Sequence, residues 1–251
     1  MITKKFKFSS HTALGVAILL MGTSHSAFSH TRLEIPTVAE GVRVTNNVVI
    51  GHSCGEGKNT IASTVVFPDG IDSTVKVNGA QSAEPIESYV SNYGNLYQKI
   101  LDHSVFQFEN EKKDANGNVV GFWVKGGKMP EGYTVYLPFR AGAMFIEPAS
   151  CAKSVKVVLG IADICRVTPI SGFKDGVLET WTPAVGSKYD GVGLGGYDSP
   201  ATLTVMRDLV NNPMDASCGD GVDVEIIPSA AQLDRDMPII NTNGTQYWPK
   251  P

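Results

Sequence analysis

Short apolar runs, each closed off by turn-forming residues, recur from one end of this chain to the other, and no long stretch carries the period of an amphipathic helix. The runs are Thr31 to Ile35, Val42 to Ile50, Thr60 to Phe67, Thr74 to Val77, Val119 to Val124, Tyr133 to Leu137, Val155 to Leu159, Val177 to Trp181, Ala201 to Met206 and Val222 to Ile227. They are rich in Val, Ile, Thr and aromatic residues, and Gly, Pro, Asn and Asp cluster between them. Asp114-Ala-Asn116-Gly117 has the composition of a hairpin turn. Such a pattern predicts an all-β fold, an antiparallel β-sandwich with Greek-key connections of the immunoglobulin or cupredoxin kind. Residues 82–103 read as a short helix or an irregular loop. From Arg207 onward the strand density falls, and 207–251 reads as a C-terminal extension packed on the sandwich, with Cys218 as its anchor.

The first residues read as a removable export signal. Lys4, Lys5 and Lys7 precede the apolar run Ala13-Leu-Gly-Val-Ala-Ile-Leu-Leu-Met21, and the small residues Ala27 and Ser29 suit peptidase cleavage before His30. The run is about half the length of a membrane-spanning helix, and no later segment is long and apolar enough to span after cleavage. Removing 29 of 251 residues leaves 222, enough for one large domain over 30–206 plus the extension. The three lysines leave with the signal, so the formal charge moves from −4 to −7. An acidic exported protein is a poor partner for nucleic acid or anionic lipid, and a periplasmic location is expected.

Cys54, Cys151, Cys165 and Cys218 all lie in the exported part. An even number in an oxidising compartment predicts two disulfides, for which three pairings are open. The absence of any CxxC speaks against a zinc ribbon or a thioredoxin-type redox site.

Cleavage before His30 would leave a histidine at the very start of the chain. Its free α-amine and ring Nδ1 can close a chelate on one metal ion, and such nitrogen donors suit Cu(II) best among common divalent metals. His52, in Gly51-His-Ser-Cys54-Gly-Glu56-Gly57 at the end of an apolar run, is the candidate third nitrogen. Glu56 is an alternative oxygen ligand or a supporting partner. His103 has no partner at ligand spacing and reads as structural or exposed. Gly191-Val-Gly193-Leu-Gly195-Gly196 does not follow a strand and open a helix, so it reads as a loop rather than a phosphate cradle. Asp215, Asp220 and Asp223 lack the spacing of an EF-hand loop. Trp123 and Met144 read as core residues.

Five stretches together resemble the YcnI-like family of bacterial periplasmic copper-binding domains. The start His30-Thr-Arg-Leu-Glu-Ile-Pro36 looks like the family's opening His-Val-Thr-Leu. Val49-Ile-Gly-His52-Ser-Cys54, followed by Thr60 to Gly70, is similar to its next segment. Leu137-Pro-Phe-Arg140 with Ser154-Val-Lys-Val157 resembles a strand pair. Phe173-Lys-Asp175-Gly-Val-Leu-Glu-Thr-Trp181 resembles a Tyr-x-Asp-Gly strand ending in Trp, and Asp198-Ser-Pro200 the element before the last strand. The resemblance covers roughly residues 30 to 206. It implies a β-sandwich that binds Cu(II) through the N-terminal histidine, here His30, with a carboxylate and a nearby tryptophan, here Trp181. The family's carboxylate has no clear counterpart, and His52 is favoured over Glu56 in its place. The inserts around 84–113 and beyond Arg207 depart from the compact family pattern.

The chain is therefore expected to be a copper-binding protein of acquisition, delivery or storage, and not an enzyme. Its partners would be the copper ion and a membrane copper transporter or periplasmic copper chaperone. The rival expectations are a copper-dependent oxidase of the histidine-brace type and a structural or adhesive sandwich that binds no metal.

Overall fold

A single apolar run, Val155 to Ile164, shows how the chain builds two layers. Its first part belongs to the strand Ala152–Val158 in one sheet and its second part to Gly160–Ile164 in another, so the chain changes sheet at Leu159. Gly160 stands at this step because a Cβ there would lie 2.5 Å from Leu233 Cδ2. The computed structural model describes residues 30–181, 186–190 and 200–251. Residues 1–29, expected to be an export signal, the glycine-rich segment 191–196 and Asp198-Ser199 lie outside the described residues.

Three sheets enclose one apolar core. In the first, Arg32–Leu33, Val44–Ile50, Val135–Ala141 and Tyr97–Lys99 lie side by side. In the second the order is Leu178–Trp181, Gly160–Ile164, Asn59–Val66, Val119–Pro130 and Phe108–Lys113. The third runs Thr37–Ala39, Thr202–Met206, Ala152–Val158, Val222–Ile227, Thr74–Val77 and Ala80–Gln81. Val48, Leu137 and Phe139 enter the core from the first sheet, Val65, Phe122 and Ile161 from the second, and Val157, Leu203 and Ile226 from the third. Phe67 stacks on Tyr97 at 3.8 Å near the centre. The molecule is an all-β sandwich. Among the described residues its strand pairings are antiparallel except two: Val222–Ile227 runs parallel to Ala152–Val158, and Thr37–Ala39 parallel to Thr202–Met206.

The Asp114–Gly117 turn joins Phe108–Lys113 to Val119–Pro130. Asp114 accepts from the amides of Asn116 and Asn118, and Gly117 takes the positive φ that the turn requires. Residues 82–103 hold a 3₁₀ turn, Ile86–Ser88, and the edge strand Tyr97–Lys99.

The stretch 207–251 does two things. Val222–Ile227 is an inner strand of the third sheet, and Cys151–Cys218 ties its approach to the neighbouring strand. The remainder, with the helix Ala230–Asp236 and the hairpin of Ile239–Ile240 and Gln246–Trp248, covers the outer face of the five-stranded sheet. Leu233, Met237, Ile239 and Trp248 form a second core there with Ala62, Ala162, Ile164, Leu178 and Trp123. Ser229 caps the helix by accepting from the Gln232 amide, and buried Gln232 donates to the Phe67 carbonyl at 2.8 Å.

Candidate functional site

Strand alternation in Leu178–Trp181 sends Leu178 toward the second core and Glu179 and Trp181 to the opposite side. In register, Glu179 lies opposite Asp163, and Asp163 opposite Ser63. Three polar side chains therefore stand in a row across three strands, beside the apolar row of Val65, Ile161 and Trp181. Ser63, Asp163 and Glu179 are all buried, each 1% exposed. Such a row is costly unless each member is satisfied.

Asp163 is satisfied. Its Oδ1 accepts from Ser63 Oγ and its Oδ2 from Thr31 Oγ1, each at 2.6 Å. Burial pushes its carboxyl up to about 6 even though both hydroxyls oppose the shift. The Thr31 bond also fixes the start of the described chain. Together with the pairing of Arg32 to Val49 and Leu33 to Val48, it sets His30 against Trp181. The indole Nε1 donates to His30 Nδ1 at 3.4 Å, and the two rings meet edge to face at 6.3 Å. His30 itself is exposed.

His52 reaches the same indole, also at 6.3 Å between ring centroids. It is carried there by the turn after Val44–Ile50, which the Cys54–Cys165 disulfide joins to the end of the strand bearing Asp163. His52 Nδ1 lies 2.8 Å from the Ser53 carbonyl and 3.2 Å from Glu179 Oε2. A carbonyl only accepts, so Nδ1 carries the proton and Nε2 holds a lone pair. Among the described residues that Nε2 is buried without a partner. Among the described residues neither oxygen of Glu179 receives a hydrogen bond, although His52 stands beside one of them. Burial, and then the nearby charges of Asp163 and Asp175, push the Glu179 carboxyl up to about 8. At neutral pH it holds a proton that it would release to a cation.

The structure thus sets His30 and His52 against Trp181, three of the four side chains singled out in the sequence. Glu56 is exposed on its turn, and the carboxylate beside His52 is Glu179. Sequence reasoning passed over Glu179 although it shares strand parity with Trp181. An acidic residue on the inward side of an apolar run, two places before an inward tryptophan, was the available signal. Among the described residues, no three His, Cys, Asp or Glu side chains already stand at metal-ligand spacing. Gly51-His-Ser-Cys-Gly55 also spells Gly-x-Ser-x-Gly. It enters a turn rather than a helix, and buried Ser53 spends its hydroxyl on the Lys58 carbonyl at 3.0 Å.

The other candidates are accounted for locally. His103 is exposed, with Nδ1 2.9 Å from the Gln107 carbonyl. Asp215 caps a 3₁₀ turn, and Asp223 accepts from Ser154 at 2.6 Å. Trp123 and Met144 are buried in the two cores.

No family model matches this sequence, and no curated protein matches it. Among solved structures the chain is similar to an uncharacterised protein from Nocardia farcinica described as having an immunoglobulin-like fold. The identity is 14%, covering 70% of this chain and 98% of that one, with a TM-score of 0.35. It is also similar to a type II cohesin domain from the cellulosome of Acetivibrio cellulolyticus, at 12% identity over 69% of this chain and 92% of that one, with a TM-score of 0.30. Likenesses this remote bear on neither ligand nor activity.

Proposed function

We propose that the protein, once cleaved before His30, binds one Cu(II) ion at the rim of the sandwich and serves its acquisition, delivery or storage in the periplasm. The observation that carries this reading is that His30 and His52 both rest against the Trp181 indole, with the His52 Nε2 lone pair unpartnered among the described residues and the unpaired Glu179 carboxyl 3.2 Å from the other ring nitrogen, Nδ1. The α-amine and Nδ1 of His30 supply the chelate, Nδ1 giving up the hydrogen bond it accepts from the indole; His52 Nε2 is the third nitrogen, and Glu179, which lies on the Nδ1 side of the His52 ring, reaches the ion by a side-chain shift. Nitrogen and oxygen donors of this kind match the tetragonal preference of Cu(II). The Nδ1–H of His52 bonded to the Ser53 carbonyl is the outer support that orients a ligating imidazole. Trp181, only 2% exposed, limits water on one side of the site. The sequence resemblance to YcnI-like copper-binding domains points the same way, with Glu179 as the carboxylate that had lacked a counterpart. Two disulfides among the described residues suit an oxidising compartment.

Binding must expel the protons of the amine and of Glu179, so affinity rises with pH through about 8. The direct test is a Cu(II) titration of two forms, one beginning at His30 and one with a single alanine before it. The extended form should bind far more weakly, because its amine is locked in a peptide bond. Equal affinity for the two forms would refute the chelate.

A further inference from the structure

At the opposite edge of the sandwich the far strands of two sheets, Tyr97–Lys99 and Phe108–Lys113, come together. The Lys99 amide donates to Glu111 Oε1 at 3.0 Å and bridges them. Beside this junction lies a cavity of about 480 Å³, whose lining includes Arg43, Arg140, Lys113, Gln98, Asn95 and Glu111. That volume is in the range of small-molecule sites.

Its charge is unbalanced. Glu111 is the one carboxylate among the lining residues, and it is already committed. One oxygen takes the Lys99 amide, and the other pairs with Lys113 Nζ at 3.5 Å. Arg140 donates to the side-chain oxygen of Gln98, its neighbour across the strands. That bond orients the guanidinium without neutralising it and leaves the Gln98 amide nitrogen as a further donor. Among the described residues neither Arg43 nor Arg140 is held by a carboxylate, although acidic residues outnumber basic ones in the chain, 25 to 21. Two arginines without a carboxylate partner lining one concavity, with amide donors beside them, suit an anion that presents oxygens at two points. The planar guanidinium fork matches carboxylate and phosphate alike.

We infer that this pocket binds a small anion carrying two or more oxyanion groups, a polycarboxylate or a phosphate, at the edge of the sandwich away from His30. The inference does not rest on the copper reading. In both sheets the order places the pocket and the His30 site at opposite ends.

The test is calorimetry on the copper-free full chain at fixed ionic strength, with tricarballylate and inorganic phosphate as separate probes and chloride as the common background. One molecule of at least one probe should bind per chain, and the arm that binds identifies the source. The Arg43→Gln/Arg140→Gln double variant should fold with an unchanged melting temperature and bind at least tenfold more weakly. Lys113→Gln alone should weaken binding less, because that ammonium is shared with Glu111. Failure of both probes to bind wild-type protein, or equal binding by the folded double variant, would overturn the inference.

Discussion

Replacing Glu179 by glutamine should make the metal-free protein more stable and at the same time a poorer copper ligand. The carboxyl is buried, receives no hydrogen bond from any described residue and is pushed up to about 8 from an ordinary value of 4.5. In the unfolded chain it ionises near 4.5, whereas in the folded chain it keeps its proton until about pH 8. Its contribution to stability is therefore complete below the unfolded value and is lost as pH rises through the folded one. Between pH 6.5 and 8.5 that loss amounts to about 2 kcal/mol. Glutamine fills the same space and does not titrate. Urea unfolding of both proteins in a metal chelator, at pH 6.5 and 8.5, compares them across the interval in which Glu179 ionises, with titrating groups remote from it cancelling. Wild type should lose about 2 kcal/mol more than Glu179→Gln across this interval. Identical pH slopes would show that Glu179 is ionised or solvated in the folded state, and the electrostatic account of the site would fail with it. In a copper titration at pH 8 the variant should lose affinity, a sign opposite to its effect on stability.

Thr31→Val removes the donor to buried Asp163 and should cost about 1–3 kcal/mol in urea unfolding. It should also weaken copper binding by releasing His30, while Thr31→Ser restores both; a valine variant equal to wild type in both assays would refute the positioning role of Asp163. Cu(II) should quench tryptophan fluorescence mainly through Trp181, since Trp123 and Trp248 lie in the core on the other face of that sheet. Trp181→Phe should then lose most of the quenching, and persistence of the full effect would place the ion elsewhere.

The sandwich was legible because its strands carry their own pattern. Val44–Ile50, Thr74–Val77 and Val222–Ile227 lie close to where the alternation and turn residues put them. Phe108–Lys113 was not legible, since Phe-Glu-Asn-Glu-Lys-Lys is polar after its first residue and holds its place as an edge strand by pairing and by the bonds of Glu111 and Lys112 to neighbouring elements. Gly160–Ile164 was hidden inside a longer apolar run, because nothing local tells a strand that it is about to change sheets. The helix at 230–236 is shorter than a periodic signal needs and depends on its cap and on what it covers. At the site, His30, His52 and Trp181 could be read as residue types with a chemistry. Glu179 offered only its shared parity with Trp181: the pairing with Asp163 and Ser63 is what shows that it is buried and, among the described residues, unpaired.

The wall bearing Glu179 is a single strand thick, and the last twenty-odd residues of the chain plaster its far side. Leu178 leans on them, Thr64 donates to the Met237 carbonyl at 2.9 Å, and Lys112 clasps the Pro238 carbonyl at 2.6 Å. A recombinant version trimmed after Ile227, a natural-looking stopping point by strand pattern, would strip that backing. Ala162, Ile164, Leu178 and Trp123 would then face water together, and the ledge that presents Glu179 and Trp181 would lose its rear support. Anyone preparing this protein should keep the chain to Pro251.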